Sequence, residues 1–404
     1  MSAKRTIFNQ RRGKQRGAVL MVMLVIMIIG AVTIFVGLLN SSVLQIGRDK
    51  ITADVLAKAK EALIGRAVSD ANRPGSLPCP DIDNTGLNVA NDGVADMLSG
   101  SNCPSYIGRL PWKTLGLPDL RDGSGERLWY ALSPNFRDDN SNPINSDNKG
   151  TLLVYDNSGT TLLTPPGSEA VAIIFAPGNI VGSQQRDTTA NQNSPQNYLD
   201  IGPNTINNAV AAGPFIAADK TASFNDRLMI IRTRDLLPVV EKRVAKEVQG
   251  FLATYLNTNG VYPYPAKFNN CTFNSTNPLN SNCDSDKTVC RGRFPLHSDA
   301  LSYPDWASTL PAWFVNNGWF NVIYYSAGNS RLSPAVLGCN TNLTVSGSPV
   351  TALFFMPSTP LGSITRPSNN LPDYLEDAEN QNMDDFYVKP GTTATSNDSL
   401  YTFP

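Results

Sequence analysis

The chain has 404 residues and a formal net charge of −1, and its length allows two ordinary domains. Six cations and no acids occupy residues 1–17, so the rest carries 27 Lys and Arg against 34 acids, about −7, which argues against nucleic acid as a partner. The low charged fraction (17%), with 30 glycines and 29 prolines, favours a β-rich body with long loops over a helical bundle.

An uncharged run of 22 residues, 18–39, follows this basic start. As a helix it would span roughly 30 Å of hydrocarbon, with its basic flank on the cytoplasmic side. The run is too long for the apolar region of a cleaved secretory signal, and no clear small-x-small site follows it. The sequence therefore predicts a single pass through a bacterial inner membrane, with the N-terminus cytoplasmic and the body periplasmic or carried outside in a filament.

Residues 14–20, Lys-Gln-Arg-Gly-Ala-Val-Leu, resemble the leader junction of type IV pilins and type II secretion pseudopilins. The resemblance implies cleavage between Gly17 and Ala18 by a prepilin peptidase, and packing of the helix with other pilin or pseudopilin subunits. Most members carry Glu at the fifth mature position, where this chain has Val22. Tip pseudopilins and some minor pilins also lack that Glu, so the resemblance implies a place at a filament tip. A plain signal anchor is the alternative interpretation.

Beyond the run, apolar residues recur at spacings of three, four and seven, which predicts that the helix continues to residue 71. Asn72, Pro74 and Gly75 then end it. An unbroken helix over 18–71 would be roughly 80 Å long. A second amphipathic helix is predicted from Asp235, as its N-cap, to residues 257–260.

Four sequence landmarks occur twice in the same order, which predicts an internal duplication. They are a helix before a Pro-rich turn (74–80 and 259–265), a cysteine followed by Gly-Arg-apolar-Pro (108–111 and 292–295), a Leu-Pro pair before a strand (117–118 and 310–311), and an apolar strand ending in proline (172–177 and 352–357). The predicted organisation is a leader (1–17), a spine helix (18–71) and two heads (72–234 and 235–404). The predicted fold class is α+β, with a long hydrophobic N-terminal helix carrying two tandem heads that contain antiparallel β-structure.

An even number of cysteines on an oxidising side of a membrane predicts disulfides. They are Cys79, Cys103, Cys271, Cys283, Cys290 and Cys339. Zinc is disfavoured, because the closest pair is seven residues apart and His297 is the single histidine. The first copy has two cysteines, so Cys79 and Cys103 are expected to bond, which would stabilise by ~3 kcal/mol. Three pairings are open for the second copy, and Cys271–Cys283 with Cys290–Cys339 is favoured.

One acidic loop has the spacing of a calcium-binding loop. Positions 1, 3, 5 and 12 are Asp81, Asp83, Thr85 and Asp92, Gly86 is at position 6, and Asp96 adds a carboxylate. No helix follows the loop, and Asp, Asn and Gly also form ordinary turns. Calcium binding and a plain turn therefore both stay open.

A charge network is predicted in the residues that follow this loop, where it would hold a loop against a strand. Its members are Arg109, Asp119, Arg121, Asp122, Glu126 and Arg127.

Enzyme chemistry has little support, because His297 has no evident nucleophile partner and no phosphate-binding or dinucleotide motif occurs. The leading hypothesis is a non-enzymatic minor pilin or pseudopilin, with filament subunits, the prepilin peptidase and the inner membrane as partners. An anchored adhesin or glycan-binding module is the alternative, with Trp306, Trp313 and Trp319 as exposed stacking residues. A hydrolase that uses two distant carboxylates also stays open, since such a pair leaves no sequence motif.

Overall fold

The computed structural model describes residues 16–82, 92–276, 281–297, 310–362, 364–391 and 396–404, and for 16–20 and 30–42 it describes the backbone alone. The chain divides into two units, Met1–Ile51 and Thr52–Pro404. The α-helices are α1 Arg16–Ser69, α2 Thr189–Asn193, α3 Thr233–Asn259, α4 Ala312–Asn316 and α5 Ala378–Gln381. The strands are β1 Ile107–Arg109, β2 Trp129–Leu132, β3 Val154–Tyr155, β4 Ala170–Ala176, β5 Phe215–Ile216, β6 Arg227–Arg232, β7 Arg291–Arg293, β8 Tyr324–Ala327, β9 Leu343–Val345, β10 Ser348–Val350, β11 Ala352–Met356, β12 Phe386–Tyr387 and β13 Ser399–Phe403.

No helix in the described part of the chain is long and apolar enough to cross a membrane. The last part of α1 is amphipathic, with Leu56, Ala59, Leu63 and Ala67 buried in the protein.

This finding contradicts the predicted fold class: α1 extends from Arg16 to Ser69, but the long hydrophobic spine expected over 18–71 is not seen in the described residues. The predicted single pass through the inner membrane, with a periplasmic body, and the other membrane assignments are wrong for the same reason. The architecture is instead a mixed α and β fold with several small sheets. The amphipathic continuation of the helix was expected from the apolar spacing, and its buried face packs against its own protein.

Two four-stranded antiparallel sheets have the same strand order. The first is β1-β2-β4-β6 and the second is β7-β8-β11-β13, in each case in chain order. All neighbouring strands in both sheets are antiparallel. Elsewhere in the described residues, β3 pairs with β5, and β9 pairs with both β10 and β12.

The registers of the two sheets also correspond residue by residue. Arg109 lies opposite Trp129 in the first sheet, and Arg293 lies opposite Tyr324 in the second. Three further equivalent pairings are Tyr130–Ile174 with Tyr325–Phe354, Leu132–Ala172 with Ala327–Ala352, and Ile174–Met229 with Phe354–Tyr401. The two halves of the folded chain are therefore structural repeats of each other.

The two repeats share one hydrophobic core. The side chains of Val240, Val244, Val248 and Leu252, spaced along one face of α3, are fully buried. The same core contains buried residues of α1 and of both sheets, among them Leu63, Tyr130, Ile174, Tyr325 and Phe354. The repeats are therefore not separate heads in series, because one helix layer covers one face of each sheet.

The ends of α3 agree closely with the sequence. The helix ends at Asn259, and Gly260 follows with φ 71°, the left-handed conformation that glycine adopts without strain. Asp235 is in the first turn rather than at the N-cap, and its Oδ2 accepts a hydrogen bond from the backbone N–H of Arg232 (3.1 Å). It also pairs with Lys60 Nζ at 2.8 Å, which joins α1 to α3.

The repeated Gly-Arg sequence is explained by a close backbone approach. A Cβ at Gly292 would lie 1.9 Å from the carbonyl oxygen of Ala266, and one at Gly108 would lie 2.6 Å from that of Asp81. In the second repeat, Ala266 and Arg293 exchange two backbone hydrogen bonds of 3.0 and 2.9 Å. Only glycine permits this approach in either repeat.

Replacing either glycine with alanine should therefore destabilise the protein. We expect Gly292→Ala to lower the free energy of unfolding by about 3 kcal/mol, with Gly108→Ala slightly less costly, because backbone must move in both. The matched control is Gly250→Ala in α3, where a Cβ meets nothing within 4 Å; helix propensity predicts a gain of about 0.5–1 kcal/mol there. Urea unfolding measures all three, and equal effects at Gly250 and Gly292 would contradict the close approach.

Candidate functional site

The start of α1 presents an exposed apolar surface. Residues 21–29 are all large and apolar, and their exposed fractions range from 51% at Leu24 and Val25 to 73% at Met21. Nine consecutive residues make about two and a half helical turns, so they cover every side of the helix. A patch of this kind is typical of a surface that other molecules cover. The predicted cleavage residues Gly17 and Ala18 lie at the beginning of the same helix.

On the outer face of the first sheet, a tyrosine lies between two arginines. The guanidinium carbon of Arg109 is 4.8 Å from the centre of the Tyr198 ring, and that of Arg186 is 4.2 Å from the same centre. Arg109 also lies 5.1 Å from the Trp129 ring. These cation–π contacts fasten the loop after β4 to the sheet.

The second repeat has the same arrangement. Arg293 and Arg366 lie 4.7 and 4.9 Å from the centre of the Tyr374 ring. Arg293 is at the sheet position equivalent to Arg109, and it is fully buried. Burial lowers the pKa of Arg293, and nearby Tyr374 opposes that shift.

A pair of carboxyl groups lies behind each tyrosine. In the first repeat, Asp226 Oδ2 accepts a hydrogen bond from the backbone N–H of Asp200 (2.8 Å), and Asp200 Oδ2 accepts one from the N–H of Asn225 (2.6 Å). Burial raises the pKa of Asp226 well above its ordinary value, and the negative charge of Asp200 raises it further. Burial also raises the pKa of Asp200.

Glu376 and Asp398 repeat this pair in the second half. Asp398 Oδ2 accepts from the backbone N–H of Glu376 (3.3 Å), and Glu376 Oε2 accepts from the N–H of Asn397 (3.3 Å). Burial, followed by the charge of Glu376, raises the pKa of Asp398 to about 9. At neutral pH the second pair therefore holds a shared proton.

Paired acids that share a proton can serve as acid and base in hydrolases. Here Asp226 is 2% exposed and Asp398 is 5% exposed. One oxygen of each, Oδ2, accepts a hydrogen bond from the backbone, and both groups are buried, so substrate has no direct approach to them. The geometry favours a structural role, in which each carboxyl pair fixes two loops to each other, over a catalytic role.

The sequence alone did not identify the members of these clusters. Two signals were available. Tyr-Leu followed by an acid occurs at 198–200 and at 374–376, and an arginine stands nine residues after the strand-ending proline in each copy, at Arg186 and Arg366. Neither signal identifies these clusters until the two sheets are aligned by their strand registers.

The predicted charge network is present in part: four of its six members form ion pairs, Asp92 and Arg186 join them, and Arg109 instead lies over two aromatic rings. Arg127 pairs with Asp119 (3.0 Å) and with Asp92 (2.7 Å), and Arg121 also pairs with Asp119 (2.7 Å). Arg186 pairs with Glu126 at 2.8 Å. Asp122 acts differently, because its Oδ2 accepts a hydrogen bond from the backbone N–H of Gly178 (2.8 Å). These contacts hold the loop before β2 against the rest of the first repeat.

The predicted calcium ligands are only partly within the described residues. Asp83 and Thr85 lie outside them. Asp81 Oδ2 accepts a hydrogen bond from the N–H of Gly93 (2.7 Å), and Asp96 Oδ2 accepts one from the N–H of Ile82 (2.9 Å). Since Asp92 pairs with Arg127, these three acids have protein partners, and calcium stays a prediction.

Three disulfides join the pairs expected from the sequence: Cys79–Cys103, Cys271–Cys283 and Cys290–Cys339. Within the described residues, the one group with metal-ligand spacing is Cys290, Cys339 and Asp385. Its two sulfur atoms are bonded to each other, so they are not available to a metal.

The expected exposure of three tryptophans is wrong for two of them. Trp313 is 6% exposed and Trp319 is fully buried, because both belong to the shared core. Trp306 lies outside the described residues.

Comparisons of this chain with models of known protein families, with curated proteins and with solved structures found no match.

The shared proton makes stability depend on pH in a defined direction. Since the pKa of Asp398 is about 9 in the folded protein and about 3.9 in an unfolded chain, the folded state holds its proton more tightly. The resulting stability is complete below about pH 4 and is lost as the pH rises toward about 9. Asp398→Asn imitates the protonated carboxyl, so we expect it to stabilise the protein by up to about 5 kcal/mol near pH 8 and to be neutral near pH 4.

Thermal melting across this pH range measures the effect. The control is Asp284→Asn at an exposed acid, which should leave the pH profile unchanged. A profile for Asp398→Asn parallel to that of the unaltered protein would show that the second pair holds no extra proton.

Proposed function

We propose that this chain is a structural subunit of a pilin-like filament, in which the start of α1 packs against the corresponding helices of neighbouring subunits. The observation that carries the proposal is the exposed apolar surface of residues 21–29, which surrounds the helix. One neighbouring helix would cover only one side of it, so several must surround it, as in a bundle. Because the apolar surface surrounds the helix, we expect the N-terminal helices of like subunits to be the partners that cover it.

The resemblance of residues 14–20 to a prepilin leader junction supports the same function. Val22 stands where most members of that family have Glu, and this absence favours a first or topmost position in the filament. The compact unit that follows, Thr52–Pro404, contains two structural repeats around one core. Such a unit is bulky for a position that repeats along a thin fibre, which also favours the tip.

Site-specific photocross-linking tests the packing of α1. A photoreactive benzoylphenylalanine in place of Ile26 (63% exposed) should cross-link to the N-terminal helix of another filament subunit in sheared filaments. The matched control is the same substitution at Ile180, which is 55% exposed in a loop of the compact unit. We expect little or no adduct from Ile180.

Mass spectrometry of the adduct identifies the partner segment. A monomeric Ile26 variant, or adducts of equal yield from Ile26 and Ile180, would refute assembly through α1. A cross-link to a chain without a pilin-like leader would also count against the proposal.

Processing of the leader supplies a second test. Co-expression with a prepilin peptidase should yield a mature chain that begins at Ala18, as read by N-terminal sequencing. Gly17→Leu should block this cleavage, because the family's peptidase cuts after a small residue. Gly13→Leu, a control within the same basic segment, should be cleaved normally. An unprocessed chain in the presence of active peptidase would contradict the pilin-like interpretation.

A further inference from the structure

One glutamate of α3 lies at the contact between the two repeats. Glu241 is only 5% exposed, and it stands on the helix whose apolar face packs into the core shared by both sheets. Its Oε1 accepts hydrogen bonds from Ser146 Oγ in the first repeat (2.7 Å) and from Ser358 Oγ in the second (3.2 Å). One carboxyl oxygen therefore joins a segment of each repeat to the same helix.

An arginine joins the same two segments. The guanidinium group of Arg366 donates to the carbonyl oxygens of Ser146 (3.3 Å) and Ser358. Its Nε also lies 3.1 Å from Asp147 Oδ1, which belongs to the first repeat. These two residues, together with Glu241 and the two serines, form what we call the junction cluster.

The groups that face Glu241 do not neutralise a negative charge on it. Arg366 acts on it electrostatically, but Arg366 is paired with Asp147, so it offsets the charge of Glu241 only in part. Tyr401 of β13 is the titratable group on another side, and burial, followed by the charge of Glu241, raises the pKa of this tyrosine.

The neighbouring charges on α3 are directed elsewhere. Lys242 is exposed, and Arg243 donates to the carbonyl oxygen of Asp70 at the end of α1 (2.6 Å). Lys246 and Glu247, one turn further along the helix, are also exposed. A negative charge on Glu241 would therefore depend on the two serine hydroxyl groups and a shared arginine.

Burial raises the pKa of Glu241 from its ordinary value of 4.5 to about 7, and the serine donors and Arg366 oppose this shift. If the cluster opens to water, the pKa falls back to its ordinary value, so the closed form holds the proton more tightly. The stability that the proton gives to the closed form is complete below about pH 4.5, and it is lost as the pH rises to about 7.

The segments that the cluster joins also form opposite walls of a cleft of about 510 Å³. Asp147 and Lys149 line it from the first repeat, and Thr365 and Arg366 line it from the second. Any separation of these segments would therefore widen the cleft.

We propose that the junction cluster is a pH-sensitive joint, which holds the two repeats together while Glu241 is protonated and loosens when Glu241 is charged. The proposal does not rest on filament assembly, because every residue of the cluster belongs to the compact unit Thr52–Pro404. It also differs from the carboxyl pair at Asp398, which joins two loops within one repeat.

Hydrogen exchange of the full chain measures how often the joint opens. The backbone N–H of Ile144 is a reporter, because it donates to Asn317 Oδ1 across the boundary between the repeats (2.9 Å). Glu241→Gln keeps the shape and the acceptor but carries no charge. We expect the exchange rate of Ile144 in the unaltered protein, divided by that in Glu241→Gln at the same pH, to rise roughly 70-fold from pH 5 to pH 8. Asp398 is present in both proteins, so its own titration cancels in this ratio.

Two further variants and an internal reference make the test specific. Ser146→Ala removes a donor that lowers the pKa of Glu241, so the rise should continue to a higher pH. Glu247→Gln, at an exposed acid of the same helix, should exchange as the unaltered protein does. The N–H groups of β4 should keep a constant ratio, because a loosened joint leaves the sheet closed.

Melting temperatures establish that each variant is folded. A ratio for Ile144 that stays constant from pH 5 to pH 8 overturns the proposal, as does equal behaviour of Glu241→Gln and Glu247→Gln. An unmoved profile for Ser146→Ala also counts against it. An equal rise in β4 would show that the whole fold responds and that the joint has no motion of its own.

Discussion

The burial of one face of each sheet against a common helix layer is the interaction on which the rest of the fold depends. Four apolar side chains of α3, Val240, Val244, Val248 and Leu252, are fully buried in a core that also contains residues of both sheets. Each such side chain contributes about 1.5–3 kcal/mol when it is buried. Either repeat alone would leave its part of this apolar core exposed to water. We therefore expect the two repeats to fold together as one cooperative unit.

The opposite face of each sheet is covered differently, by loops rather than by helices. Tyr198 in the first repeat and Tyr374 in the second are each fixed between two arginines. The carboxyl pair beside each tyrosine then binds the backbone of two loops together. Burying two acids is costly, and in the second repeat the proton that Asp398 holds removes most of that cost because one carboxyl stays neutral.

One difference between the repeats lies where they meet. Glu241 on α3 accepts hydrogen bonds from Ser146 Oγ of the first repeat (2.7 Å) and Ser358 Oγ of the second (3.2 Å). Burial raises the pKa of Glu241 to about 7, and the two hydroxyl donors oppose this shift. Leu56 occupies the equivalent position on α1, so this polar junction occurs in one copy alone.

Local patterns in the sequence were reliable where a single short-range force decides the outcome. The end of α3 at Gly260, the charge network around Asp119 and the pairing Cys79–Cys103 all follow from nearby residues. The prediction of a membrane-spanning hydrophobic spine failed, since no helix in the described residues is long and apolar enough to cross a membrane. The prediction that Trp313 and Trp319 are exposed failed because a tertiary core covers both.

By itself, the sequence determined that one module occurs twice, because glycine, proline and cysteine mark backbone constraints that every copy must obey. Only the tertiary structure decided what the duplication produces. Residues far apart in the chain, such as Arg109 and Tyr198 or Asn145 and Asn317, become neighbours through sheet pairing and core packing. Those contacts depend on long-range register, and no local pattern of residues encodes it.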